Sequence, residues 1–123
     1  MTPEKFIREA NYLFTPGFQD SVKHENPDEI SSQKLNRKFK AFIKSQFPDC
    51  ELHDFHGGFC ESSGFVEKDG KFVYISISDL RYWKDWAEDV LIRTAVSAKD
   101  YTGGSNHCTT IKNLKADVYK LLG

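Results

Sequence analysis

Phe59-Cys-Glu-Ser-Ser-Gly-Phe-Val-Glu67 and Lys71-Phe-Val-Tyr-Ile-Ser-Ile-Ser78, joined through Asp69-Gly70, read as the two strands of an antiparallel hairpin. An Asp-Gly pair between apolar runs supplies the positive φ angles that a tight hairpin turn needs. The second run alternates with period two, Val73, Ile75 and Ile77 on one side and Phe72, Tyr74 and Ser76 on the other. That alternation is what a sheet with one face on a core produces. Working outward, residues 50–55 predict a preceding strand that ends at Gly57-Gly58, and residues 90–95 predict a fourth.

Helical spacing surrounds this block. Thr2 as cap and Pro3 in the first turn predict a helix over residues 3–14, with Phe6, Ile7, Ala10, Leu13 and Phe14 on one side. Thr15-Pro16-Gly17 stops it, and residues 17–25 read as a connection. Asn26-Pro27-Asp28-Glu29 is a second start, with Asn as cap, Pro at the first helical position and Glu two positions on. Leu35, Phe39, Phe42, Ile43 and Phe47 then share a face of a helix ending near residue 46, before Pro48. Ile111, Leu114, Val118, Leu121 and Leu122 make one stripe of a last helix over residues 109–122. The fold class expected is α+β. It is a four-stranded antiparallel meander with two N-terminal helices and one C-terminal helix packed on one face, in a single domain over 1–123.

Composition narrows the setting. Ten Phe against one Met, in a chain that is 39% hydrophobic, point to a core built on rings. Seventeen basic and eighteen acidic residues leave a net charge of −1, so the overall field selects neither nucleic acid nor membrane. An odd number of cysteines, Cys50, Cys60 and Cys108, suits reduced thiols and a cytoplasmic setting. No apolar run approaches the roughly 20 residues of a membrane span, so no membrane partner is expected.

Four constellations are candidates for chemistry or recognition. The first is Lys99-Asp-Tyr-Thr-Gly-Gly-Ser-Asn-His107. Paired glycines between a strand and a helix start would let backbone amides approach an anion, with Arg93, Asp100, Tyr101, Gly103, Gly104, Ser105, Asn106 and His107 around it. It matches neither the P-loop nor the dinucleotide fingerprint, and a plain strand-to-helix turn capped by Asn106 or Thr109 accounts for it equally well. Arg93, in an otherwise apolar strand, calls for a carboxylate such as Asp79 or Asp100.

The second is the run from Ser31 to Pro48, where Lys34, Arg37, Lys38, Lys40 and Lys44 occur without a carboxylate. They fall opposite the phenylalanines, as a solvated outer face or as a docking face for an anionic partner, direct contact with nucleic acid included. The third is Trp83 and Trp86, which serve either as binding aromatics or as a cover for the sheet. The fourth is His53, His56, Cys60 and either His107 or Cys108 as a zinc set. On a regular strand His53 and His56 point to opposite faces, and adjacent His107 and Cys108 do not readily share an ion, so no metal is assigned. Cys60 or Cys108 with a nearby histidine lacks any local signature of a nucleophile, and no catalytic residue or cofactor is assigned either.

Tyr74-Ile-Ser-Ile-Ser-Asp-Leu-Arg81, Val90-Leu-Ile-Arg-Thr-Ala95 and Lys99-Asp-Tyr-Thr-Gly-Gly-Ser-Asn106 together resemble small uncharacterised proteins of phages and conjugative elements in Gram-positive bacteria. The resemblance covers residues 59–122 and carries no activity. It implies an accessory protein of a mobile element acting inside the bacterial host cell. The function expected is therefore non-enzymatic docking on a protein or nucleoprotein partner, inhibition of host defence being one version. The alternative is an enzyme or small-ligand binder that uses the 99–107 loop for an anionic substrate. Oligomeric state is left open.

Overall fold

Three Thr/Asn-Pro signatures start three helices. Thr2 Oγ1 accepts from Lys5 N at 3.1 Å and begins α1, Pro3–Tyr12. Thr15 Oγ1 accepts from Phe18 N at 3.3 Å and begins a short α2, Pro16–Ser21, where a plain connection was expected. Thr15-Pro16 thus ends one helix and opens the next. Asn26 Oδ1 accepts from Glu29 N at 3.3 Å and begins α3, Pro27–Gln46. These caps satisfy amides that a helix start leaves open. The computed structural model describes residues 1–58, 60–100 and 102–123.

Five strands follow: β1 Glu51–His56, β2 Ser62–Lys68, β3 Lys71–Ile77, β4 Val90–Ala95 and β5 Asn106–Thr109. All neighbours are antiparallel and the order is β1-β2-β3-β4-β5. The four-stranded meander is thereby corrected to five. Asn106 to Thr109, expected to lead into or cap the last helix, instead pair with Arg93 to Val90. The last helix, α4, is shorter than expected, Leu114–Leu122. Ile111 still enters the core, from the turn ahead of the helix, where its N–H donates to Ala87 O at 2.8 Å.

One sheet face carries Val66, Val73, Ile75, Ile77, Val90 and Ile92, all fully or almost fully buried against Phe6, Leu35, Phe39, Phe42, Ile43, Leu114 and Val118. α3 packs on β1 and β2, and α4 on β3 and β4. Rings organise the centre, as composition suggested. Phe6 stacks on Phe42 with centroids 4.6 Å apart and meets Trp86 edge-on at 5.9 Å. Burying each such ring removes on the order of 150–250 Å² from water, which is why α1 is held here despite its short length.

Candidate functional site

The outer face of α3 gathers cations without carboxylates. At 100° per residue, Lys34, Arg37, Lys40 and Lys44 lie opposite Leu35, Phe39, Phe42 and Ile43. Arg37, Lys40 and Lys44 are exposed and Lys34 is half-exposed. Among the described residues none of these four makes an ion pair, whereas Lys38 Nζ is engaged at 3.0 Å by Glu9 Oε1. Lys38 is thus corrected from a free cation to a tie between α1 and α3, and it holds the Glu9 carboxyl below its ordinary range. Arg37 and Lys44 are seven residues apart, a rise of about 10 Å along the axis. The result is a ridge of positive charge with no carboxylate between Ser31 and Pro48.

A second surface forms on the sheet face away from the helices. Register places His53, Phe65, Tyr74, Arg93 and Asn106 in one row across all five strands. Phe65 is only 2% exposed although no described helix packs on that face, and its ring meets Tyr74 at 5.1 Å. The β4–β5 connection reaches toward β1. Lys99 Nζ in that connection lies 3.8 Å from Asp54 Oδ1 on β1. β1 and β4 are three strand positions apart, roughly 14 Å at the usual spacing, farther than a lysine side chain reaches from β4 itself. Lys99 therefore reaches across the sheet from the connection, not from β4.

A bulge in β1 presents Asp54 to the loop. Its φ is +53°, and the register shifts between His53 and His56. One extra residue in a strand turns the side chains after it to the other side. His56 consequently faces the same way as His53, contrary to the regular-strand expectation, and Phe55 turns inward to Phe39 with centroids 5.9 Å apart.

The paired glycines shape this loop and do not open a helix. Gly103 has φ +76°, and a Cβ on Gly104 would fall on the Thr94 carbonyl oxygen. Ser105 N donates to Thr94 Oγ1 at 2.9 Å. Asp100 closes the loop on itself, its carbonyl accepting from Val96 N at 3.1 Å and its carboxylate from Thr102 N at 3.2 Å. The helix N-terminus that would have added amides for an anion is absent here, because β5 follows. A shallow hollow of about 250 Å³ lies between Thr94, Ala95, Val96 and Thr102 to Gly104. Arg93 donates to Asn106 Oδ1 at 2.5 Å, which joins two of the expected loop residues across β4 and β5. Asp79, expected as a partner of Arg93, is instead held by Arg81 at 2.7 Å, and its carboxyl is thereby lowered. His107 pairs with Ile92 and so points to the opposite face from Arg93 and Asn106. Tyr101, also expected in the loop site, and Phe59, at the start of the expected second strand, lie outside the described residues.

The two tryptophans separate. Trp86 is 1% exposed, its indole N–H donating to Asn11 Oδ1 at 2.8 Å, so it anchors the core and is corrected from a surface aromatic. Trp83 remains 47% exposed beside Tyr82 at 78%. In the sequence only its place next to Trp83 marks Tyr82.

The histidines and cysteines do not converge. Cys60 is buried beside Ser32, whose Oγ accepts from the Cys60 N–H at 2.8 Å, donates to Asp28 O at 2.7 Å and lies 3.4 Å from the Cys60 sulfur. Burial raises the Cys60 thiol above its ordinary range, opposite to what a nucleophile needs. All three cysteines are free, and Cys108 is exposed on β5. His56 Nδ1 bonds to the carbonyl two residues back, Asp54 O, at 2.9 Å. His53 meets Glu67 at 2.7 Å and Glu51 at 3.6 Å, a grouping invisible in the sequence because it depends on cross-strand register.

No protein-family model, no curated protein and no solved structure matches this chain.

Proposed function

We propose that this chain is a small accessory binding protein, of the kind carried by mobile elements, that docks without catalysis on an anionic protein or nucleoprotein partner. The observation that carries the reading is the outer face of α3, where Lys34, Arg37, Lys40 and Lys44 stand without ion-pair partners among the described residues. A net charge of −1 makes that concentration a local device, since 18 carboxylates elsewhere offset it. A local positive ridge orients the encounter with an anionic surface and raises the association rate. Exposed Trp83 and Tyr82 supply the amphipathic area that interface centres favour.

The test is partner capture from the bacterial host, with wild-type protein against Lys34→Glu/Arg37→Glu/Lys44→Glu and, separately, Trp83→Ala. The reading expects the triple reversal to lose the partner and Trp83→Ala to retain less of it, with unchanged circular dichroism in both. Equal capture by all three proteins would remove these surfaces as the docking site.

A further inference from the structure

Glu51 on β1 lies directly opposite Glu67 on β2, and His53 projects from the same face of β1 two residues on. Like charges directly opposite in an antiparallel pair destabilise it, and β1 is an edge strand paired on one side only. Among the described residues, no lysine or arginine lies within 4.0 Å of either carboxylate; His53 alone bridges them. One Nε2 and one oxygen from each glutamate fall within 4.8 Å of one another. The His53 ring is held against Phe72, with centroids 5.6 Å apart. Glu67 is about a quarter exposed and Glu51 reaches in from solvent.

We infer that Glu51, His53 and Glu67 form a binding site for a divalent first-row transition ion, zinc being the reference ion. Two carboxylates and a neutral imidazole balance the charge of one such ion. The donor set of one nitrogen and two oxygens is one that zinc accepts at about 2.0–2.2 Å, with the remaining position left to water. An imidazole donor disfavours magnesium and calcium, which take oxygen. The hydrogen bond between His53 and Glu67, at 2.7 Å, opens slightly to admit the ion. Bound there, the ion ties the edge strand to β2 and replaces the repulsion between the glutamates by a shared ligand. The site is separate from α3, so it stands or falls apart from the docking reading.

The experiment is calorimetric titration of tag-free protein with zinc chloride alone, with thermal melting of the same samples. The wild type is expected to bind one equivalent and to melt higher with zinc than without. His53→Gln and Glu67→Gln should weaken binding at least tenfold, while His56→Ala, on the same face but outside the trio, leaves it unchanged. Glu51→Gln, a change at the exposed ligand, is expected to melt higher than wild type without zinc and to lose most of the zinc-induced rise. No wild-type binding at millimolar zinc, binding that survives in His53→Gln, or loss in His56→Ala overturns the site.

Discussion

Lys99 Nζ, in the connection after β4, lies 3.8 Å from Asp54 Oδ1 on β1, although β2 and β3 separate β1 from β4. This pair ties the β4–β5 connection to β1. Lys99 itself, with φ +69°, sits in the left-handed region at the loop's tip. The pair is largely solvent-exposed, so it contributes no more than about 1 kcal/mol. Lys99→Ala is expected to leave the melting temperature nearly unchanged while speeding amide exchange over residues 96–100 by up to about fivefold, the kinetic equivalent of that energy. Asp54→Gly removes the same tie but also relieves the positive φ at Asp54. It should therefore speed exchange equally without loss of stability. Unaltered exchange in both variants would show that the loop is held by other contacts.

Gly104, Gly103 and Gly17 predict an order of effects. Gly104→Ala drives a methyl into the Thr94 carbonyl, which neither backbone can easily yield, at a cost of about 1–3 kcal/mol. Gly103→Ala meets no atom but keeps a positive φ, at about 1–2 kcal/mol. Gly17→Ala meets open space in the first turn of α2 and is expected to stabilise by about 0.5 kcal/mol. Urea denaturation of the three proteins gives the order directly. A stabilising Gly104→Ala would contradict the close approach.

Ser32 Oγ accepts from the buried Cys60 N–H while it donates to Asp28 O one turn back on α3. Ser32→Ala leaves that N–H without its partner and should cost about 1–3 kcal/mol. In the native wild type, a maleimide should label Cys108 quickly and Cys60 only on unfolding, since one is exposed and the other is buried with a raised pKa. Equal labelling rates would mean that the Cys60 environment opens freely.

Tyr119 Oη donates to Asp49 Oδ1, and Lys68 Nζ lies 2.9 Å from Oδ2 of the same carboxylate. The Tyr119 hydrogen bond, followed by that of Lys68, lowers the Asp49 carboxyl from 3.8 to about 2. A folded-state value below the unfolded one gives a stability contribution that is complete above about pH 4 and is lost as pH falls through about 2. Tyr119→Phe should move the Asp49 midpoint upward in a carbon-detected NMR titration and remove that part of the acid dependence. An unshifted midpoint would show that Lys68 alone sets it.

The sequence disclosed the structure that is written in local chemistry. Thr2-Pro3 and Asn26-Pro27 name their own helix starts, and Asp69-Gly70 names its hairpin, with φ +53° and +79° at the turn. β5 was hidden because Asn106, His107 and Cys108 are all exposed and lack apolar alternation, so its strand character comes only from pairing with β4. The start of α4 was hidden for the converse reason. Ile111 is buried at helical spacing from Leu114 but belongs to a turn.

The sites divide along the same line. The basic ridge was legible because a helix face follows from spacing alone. The Glu51–His53–Glu67 trio and the Lys99–Asp54 tie were not, because they depend on register and on a bulge that no single residue type announces. Trp86's choice between the two readings was not legible, since Asn11, which satisfies the indole, lies 75 residues away.

The most direct test of the docking account is the salt concentration at which the protein elutes from immobilised heparin, a polyanion that reports the ridge without knowledge of the partner. Wild type is expected to be retained at low salt despite its net charge of −1. If about three cations contact the polyanion, affinity should fall with a log–log salt slope near −3. Arg37→Glu/Lys40→Glu/Lys44→Glu should flow through unretained. Retention of that variant equal to wild type, or flow-through of the wild type itself at low salt, would contradict the claim that α3 presents a working anion-binding face.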